Sequence, residues 1–239
     1  MAELLFEIGS EELPAGFVDP ALAFLETELV KQCSEQRLQC TVKRVDGTPR
    51  RLVVIADVAE RQQDLEEEIT GPLWSVAVNA DGTPTPAGEG FLKKNNLTIA
   101  DVKPKEGKKG AVISGVKKEA GKPAAEVLPA LLEALLPRIP FKKTMRWADR
   151  FNSNGQVFGR PVRWLLALLD GAALNVRFAD VVSGTTTRGH RYHAPDPVVV
   201  SGVADYLDVL SKSQVVLSRR ERADLIRSEA HKLVAAEGG

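Results

Sequence analysis

Residues Leu4-Leu5-Phe6-Glu7-Ile8-Gly9, LLFEIG, carry the first decision about the fold. Four of the five residues before the glycine are apolar, with no helical spacing, so the segment reads as a buried strand that stops at Gly9. Asp19-Pro20 downstream reads as an N-cap with proline at the first helical position. Leu22, Leu25 and Leu29 then recur at helical spacing, which predicts a helix over about 20–35. Val42–Val45 and Leu52–Ala56 read as two further strands, joined by a turn at Asp46-Gly47-Thr48-Pro49. Strand, helix, strand, strand predicts an α+β fold with mixed, largely antiparallel sheets and packed helices.

The character changes at residues 64–122. Asp81-Gly-Thr-Pro-Thr-Pro86 and the Lys/Gly-rich Lys103 to Gly110 read as loops around a short helix near 87–96 and a strand at 111–117. We read 64–122 as a small inserted subdomain with a thin core, and 1–63 with 123–239 as the main domain. Pro123 opens a helix whose Val127, Leu131, Leu132, Leu135 and Leu136 face inward, and Pro137 ends it. Residues 161–169 are a mostly apolar run that fits a buried helix or a buried strand equally well. Strands near 174–180 and 197–200 follow. Ser201 reads as the cap of a helix through about 211. Ser218-Arg-Arg-Glu221 has capping-box spacing and opens a last helix, with Ile226, Ala230, Leu233 and Val234 on one face and Gly238-Gly239 at its end.

The chain has 239 residues, 44% of them hydrophobic, enough to bury a real core. The formal net charge is zero, with 32 basic and 32 acidic residues, so only its distribution is informative. Residues 1–30 hold seven acids and no Lys or Arg, whereas 138–191 hold ten basic residues against three acids. Such a basic stretch suits a phosphate-bearing partner. Two cysteines do not make a secreted disulfide scaffold, and Glu3 and Glu7 argue against a signal peptide, so a reducing cytoplasm is expected. No apolar run approaches the roughly 20 residues of a membrane span.

No Walker loop, dinucleotide fingerprint or nucleophile elbow is present, so no catalytic residue is expected in this chain. His190 and His193 lie about 150 residues from Cys33 and Cys40, which is poor zinc spacing; no metal site is expected. Glu7, Glu11 and Glu12 around Gly9-Ser10 read as exposed or capping charges rather than a Mg²⁺ pair. The basic motifs say more. Arg50-Arg51, Lys143-Thr-Met-Arg146-Trp147, Arg160-Pro-Val-Arg163-Trp164 and Arg188-Gly-His190-Arg191-Tyr192 set cations beside aromatic rings, a pairing that grips phosphate and stacks on exposed bases. The competing reading is core tryptophans with arginines in internal ion pairs to the acidic N-terminal stretch. We expect Arg163, beside a long apolar run, to take the buried alternative, and Arg188 and Arg191 to be exposed.

Taken in order, Glu7-Ile-Gly-Ser-Glu-Glu-Leu-Pro14, Thr48-Pro-Arg-Arg-Leu52, Gly71-Pro72, Asp81-Gly to Gly90-Phe91, Lys143-Thr-Met-Arg-Trp147, Arg160-Pro-Val-Arg-Trp164 and Arg188-Gly-His-Arg191 resemble the N-terminal part of the β subunit of bacterial-type glycyl-tRNA synthetase. Ser10 stands where that family usually has Thr, and Tyr192 where it usually has Phe; hydroxyl and ring are kept. The resemblance implies an α2β2 enzyme that uses ATP and Mg²⁺ to join glycine to tRNA(Gly), with the catalytic site in the α subunit. It also implies that this chain is about the first third of a β subunit, inactive alone and without a cofactor of its own. Its implied partners are the α subunit, the remaining β-subunit domains and tRNA(Gly). The implied tRNA-contact candidates are Arg50, Arg51, Lys143, Arg146, Arg160, Arg163, Arg188, His190 and Arg191. A purely structural module with no RNA contact is the alternative.

Overall fold

The computed structural model describes residues 1–107, 110–147 and 155–237. They form two compact units, Met1–Gln62 with Lys122–Gly239, and Gln63–Gly121. The fold is α+β. The first unit opens with β1 (Ala2–Ser10), α1 (Ala15–Glu35), β2 (Cys40–Thr48) and β3 (Arg51–Val58). The second holds β4 (Leu65–Leu73), α2 (Trp74–Ala77), α3 (Pro86–Asn95), β5 (Val102–Gly107) and β6 (Gly110–Glu119). The first unit resumes with α4 (Ala124–Leu135), β7 (Met145–Trp147), β8 (Gln156–Phe158), β9 (Val162–Leu169), β10 (Ala172–Ala173), β11 (Arg177–Phe178) and β12 (Val181–Val182). The chain continues through β13 (Thr186–Arg188), β14 (Pro197–Val199), α5 (Val203–Lys212) and α6 (Arg219–Ala236).

The central sheet has the order β10-β9-β1-β3-β2, and its named pairs are all antiparallel. β1 lies in the middle, covered on both faces, which is why LLFEIG lacks polar alternation. Leu4, Phe6 and Ile8 point into the larger core with Leu25 and Leu29 of α1 and Leu128 and Leu132 of α4. Leu5 points the other way, with Val53, Ile55, Leu166 and Leu168, beneath Tyr206 and Leu210 of α5. The same two-sided burial makes residues 162–169 a strand: a run apolar on both faces suits a central strand as well as it suits a helix. In the second unit, the antiparallel sheet β4-β6-β5 builds a small core from Ala77, Val78, Leu92, Val102 and Ile113.

Several local expectations are corrected. α1 begins at Ala15, one turn early, so Pro20 sits inside it and Asp19 pairs with Arg219 instead of capping. The turn between β2 and β3 is at Pro49-Arg50, because Asp46 and Gly47 are still paired, to Val53 and Leu52. The Lys103 side of the second expected loop is strand β5; Lys108 and Lys109 lie outside the described residues. In α4, Leu128 takes the inward place expected for Val127, which is only half-buried. Near 174–180 the chain makes two short strands around Ala179, whose φ is 51°. Ser201 does not cap α5 with its side chain; its N–H and hydroxyl both donate to Asp205.

Ser218 does cap α6, its Oγ accepting from the Glu221 amide at 3.2 Å. No residue of α6 is buried, and Ile226, Leu233 and Val234 face outward. The expected end of this helix at Gly238-Gly239 lies outside the described residues. With little packing to hold it, α6 depends on its cap. Ser218→Ala is expected to cost about 1 kcal/mol of helix stability and to appear as lost helical circular dichroism, with the main unfolding transition unmoved.

Candidate nucleic-acid interface

The second face of the central sheet turns polar at the end of β1. Strand alternation places Leu5, Glu7 and Gly9 on that face, together with Arg51 of β3 and Trp164 of β9. Glu7 is 0% exposed and Arg51 2%. The Arg51 Nη1 lies 3.3 Å from Glu7 Oε1, and Arg51 Nη2 donates to the Arg188 carbonyl at 2.6 Å. Trp164 Nε1 donates to Glu7 Oε1 at 3.1 Å, and Thr187 Oγ1 to Glu7 Oε2 at 2.6 Å. The Tyr206 hydroxyl is buried beside this pair, and burial pushes its phenol well above the ordinary tyrosine range. Glu7 is therefore neither an exposed charge nor a cap. It is the centre of a buried network that ties β1, β3, β9 and β13 together.

Trp164 is the second organiser. Gly9 lies opposite it, and a Cβ there would come within 1.9 Å of the indole. The missing side chain lets the ring lie against the strand. The Arg50, Arg51 and Arg188 guanidinium carbons then stand 5.9, 5.8 and 5.9 Å from its ring centroid. These are cation–π distances.

Above the network runs the acidic strap Ser10-Glu11-Glu12. The Ser10 amide donates to the Arg50 carbonyl, Glu11 to that of Pro161 and Leu13 to that of Pro49. Glu11 is ion-paired with Arg163, whose Nε lies 3.0 Å away, and Glu12 accepts Arg191 Nη1 at 2.7 Å. Arg50 reaches both at longer range, 3.9 Å to Glu11 and 3.6 Å to Glu12. The Glu12 carboxyl is held below its usual range, first by its own main-chain amide and then by Arg191. Arg163 is 60% exposed, so the buried partner of an N-terminal glutamate is Arg51, not Arg163. Arg188 is half-buried against Trp164 rather than open, whereas Arg191 is exposed as expected.

The histidine stretch is the outer edge of this assembly. Thr186–Arg188 pairs with Pro197–Val199, and Gly189 packs against Ser213 and Ala194 with no room for a Cβ. The His190 amide donates to Ser213. Its Nδ1 accepts the amides of Tyr192 and His193, both at 3.3 Å. That lone pair is committed to shaping the loop, which leaves Tyr192 79% exposed at the tip. An open groove of about 350 Å³ lies beneath, walled by Glu12, Arg50, His190, Arg191 and Tyr192, with Pro49, Val215 and Val216 also lining it.

The structure thus brings Arg50, Arg51, Arg163, Arg188, His190 and Arg191 into one neighbourhood. Arg160, half-buried, donates to the Gly159 carbonyl, and Lys143 and Arg146 are exposed on and before β7; none of these three is among the residues lining the groove. Sequence reasoning missed Thr187 and Tyr206 in the network and Arg222 at the groove. Arg222 donates to the Val216, Leu217 and Gly47 carbonyls and so fixes the start of α6 against β2. Nothing in its neighbouring sequence marks it, because its partners are main-chain atoms.

A profile described as glycyl-tRNA synthetase beta subunit matches residues 4–239. The chain belongs to that family. It is 42% identical to a glycine–tRNA ligase β subunit of Anaeromyxobacter dehalogenans over 100% of its length, covering 34% of that relative. It is 39% identical to one from Geobacter sp. strain M21, covering 99% of this chain and 34% of the relative. A third, from Myxococcus xanthus, is 40% identical over 94% of this chain and 32% of the relative. The chain therefore spans about a third of the length of the curated β subunits it matches. Among the described residues no helix is long and apolar enough to cross a membrane.

Proposed function

We propose that this segment of a glycine–tRNA ligase β subunit supports glycylation of tRNA(Gly) by binding the tRNA through the face around Trp164. Activation of glycine with ATP and Mg²⁺ then belongs to the α subunit, and the work of this chain is to hold RNA. One observation carries the reading. Five arginines from three chain segments (Arg50, Arg51, Arg163, Arg188, Arg191) gather around three glutamates (Glu7, Glu11, Glu12) and one indole. Internal pairing alone needs no such surplus of guanidinium, and Arg50, Arg51 and Arg191 line an open groove with an exposed tyrosine at its rim. Planar guanidinium and an exposed ring are the groups that meet phosphate and unstacked bases.

The alternative, a bracing module that touches no RNA, is favoured by the glutamate partners of Arg163 and Arg191. The salt dependence of tRNA binding separates the two. Arg191→Ala is expected to reduce the slope of log affinity against log salt by roughly 0.7–0.9, the value of one lost phosphate contact, with the melting temperature unchanged. An unchanged slope would favour the bracing module.

A further inference from the structure

The proposed function leaves open how RNA meets the groove beneath Tyr192. Glu12 answers part of this. Its carboxylate holds Arg191 at 2.7 Å and stands 3.6 Å from the Arg50 Nε, so it occupies the place where two guanidiniums converge. It is itself half exposed, on a strap held by the main chain of Glu11 and Leu13. The arginines lining the groove are not saturated by it. Arg50 Nε has no hydrogen-bond acceptor, Glu12 at 3.6 Å being too distant for one. Guanidinium donors in such a setting call for more acceptor oxygens than one carboxylate supplies. Beside them Tyr192 is 79% exposed, with the Arg191 guanidinium 5.8 Å from its ring centroid. The groove volume, about 350 Å³, lies at the small end of the roughly 300–1,000 Å³ of small-ligand sites.

We infer that the groove is a subsite for one unpaired nucleotide of single-stranded RNA. The phosphate displaces the Glu12 carboxylate from Arg191 and Arg50, and the base lies on Tyr192. Glu12 then acts as an internal anion. It keeps the two arginines aligned when RNA is absent and competes with the phosphate when RNA arrives. The inference rests on the RNA-binding reading above and adds to it the ligand unit and a competing residue.

The test is fluorescence anisotropy of a labelled single-stranded oligoribonucleotide on the 239-residue chain, with the Glu12→Gln and Tyr192→Ala variants. Both side chains are at least half exposed, so folding is not at stake. Glu12→Gln is expected to tighten binding roughly two- to fivefold, the weight of one surface ion pair. Tyr192→Ala is expected to weaken it at least about fivefold, the loss of one stacked base. Unlabelled AMP should compete only at much higher concentration than the oligomer. Competition by AMP at lower concentration than the oligomer would assign the groove to a free nucleotide and overturn the RNA assignment. If Arg191→Ala lowers tRNA affinity while Glu12→Gln and Tyr192→Ala bind the oligomer like the parent, the subsite is wrong and the RNA-binding face stands. If the parent chain binds neither tRNA nor oligomer, both fall.

Discussion

Arg51→Ala is expected to destabilise the chain by about 3–5 kcal/mol, the cost of stranding one member of a buried ion pair. Glu7 is 0% exposed, and without Arg51 its carboxylate keeps the neutral donors Trp164 Nε1 and Thr187 Oγ1. Two neutral donors do not replace a cation in a site closed to water. The loss also frees the Arg188 carbonyl, which anchors β13 to β3 through Arg51 Nη2. Urea unfolding measures the effect. The mechanism predicts coupling: Glu7→Gln in the Arg51→Ala background removes the stranded charge while keeping an acceptor for Trp164. That second change should restore stability, with a coupling energy of about 0.5–3 kcal/mol. Additive losses would show that the two side chains do not act as a pair. Arg163→Ala is the contrast. Its partner Glu11 stays within reach of solvent, and its loss should cost no more than the roughly 0–1 kcal/mol of a surface pair.

The architecture was legible because its signals are large. LLFEIG can only be a strand, and the α1 and α4 patterns give helices that must cover one face of its sheet. The polar network was not legible, although both halves of the pair stand in quoted motifs. Glu7 and Arg51 are diagonal neighbours, since Gly9 pairs Arg51 and Glu7 pairs Val53. Seeing this requires the register, and the register follows from the turn. A turn read at Asp46–Pro49 instead of Pro49-Arg50 leaves Arg51 without a defined face. An acid inside a strand buried on both sides was itself a signal, because such a charge needs a cation near it. The expectation of a buried Arg163 fails for a related reason. Strand alternation turns Trp164 onto the buried face and its neighbour Arg163 away from it, so adjacency to an apolar run says little about a single side chain. The strap at Glu11 and Glu12 was beyond sequence reasoning, since main-chain bonds to Pro49, Arg50 and Pro161 hold it.

Gly9→Ala and Trp164→Ala are expected to show strongly non-additive effects. A methyl at Gly9 would lie 1.9–2.4 Å from three indole carbons, closer than any non-bonded contact allows, so the ring must leave its place. Overpacking of this kind costs about 1–3 kcal/mol and sometimes more. Removing the nearly buried indole costs about 3–5 kcal/mol, and it also takes the Nε1 donor from Glu7. Once the ring is gone, the three atoms nearest the methyl go with it. Gly9→Ala should therefore be close to neutral in the Trp164→Ala background, and a double-mutant cycle by thermal or urea unfolding reads this directly. The two single variants share a second consequence. Arg50, Arg51 and Arg188 stand within 6 Å of the same ring, so displacing it removes a surface against which all three are set. At a temperature where both proteins are folded, both should bind RNA more weakly than the parent, although neither position is a proposed contact. If RNA affinity were unchanged in the folded Trp164→Ala protein, the indole would be a core side chain only, and the arginines would owe their placement to the glutamate strap.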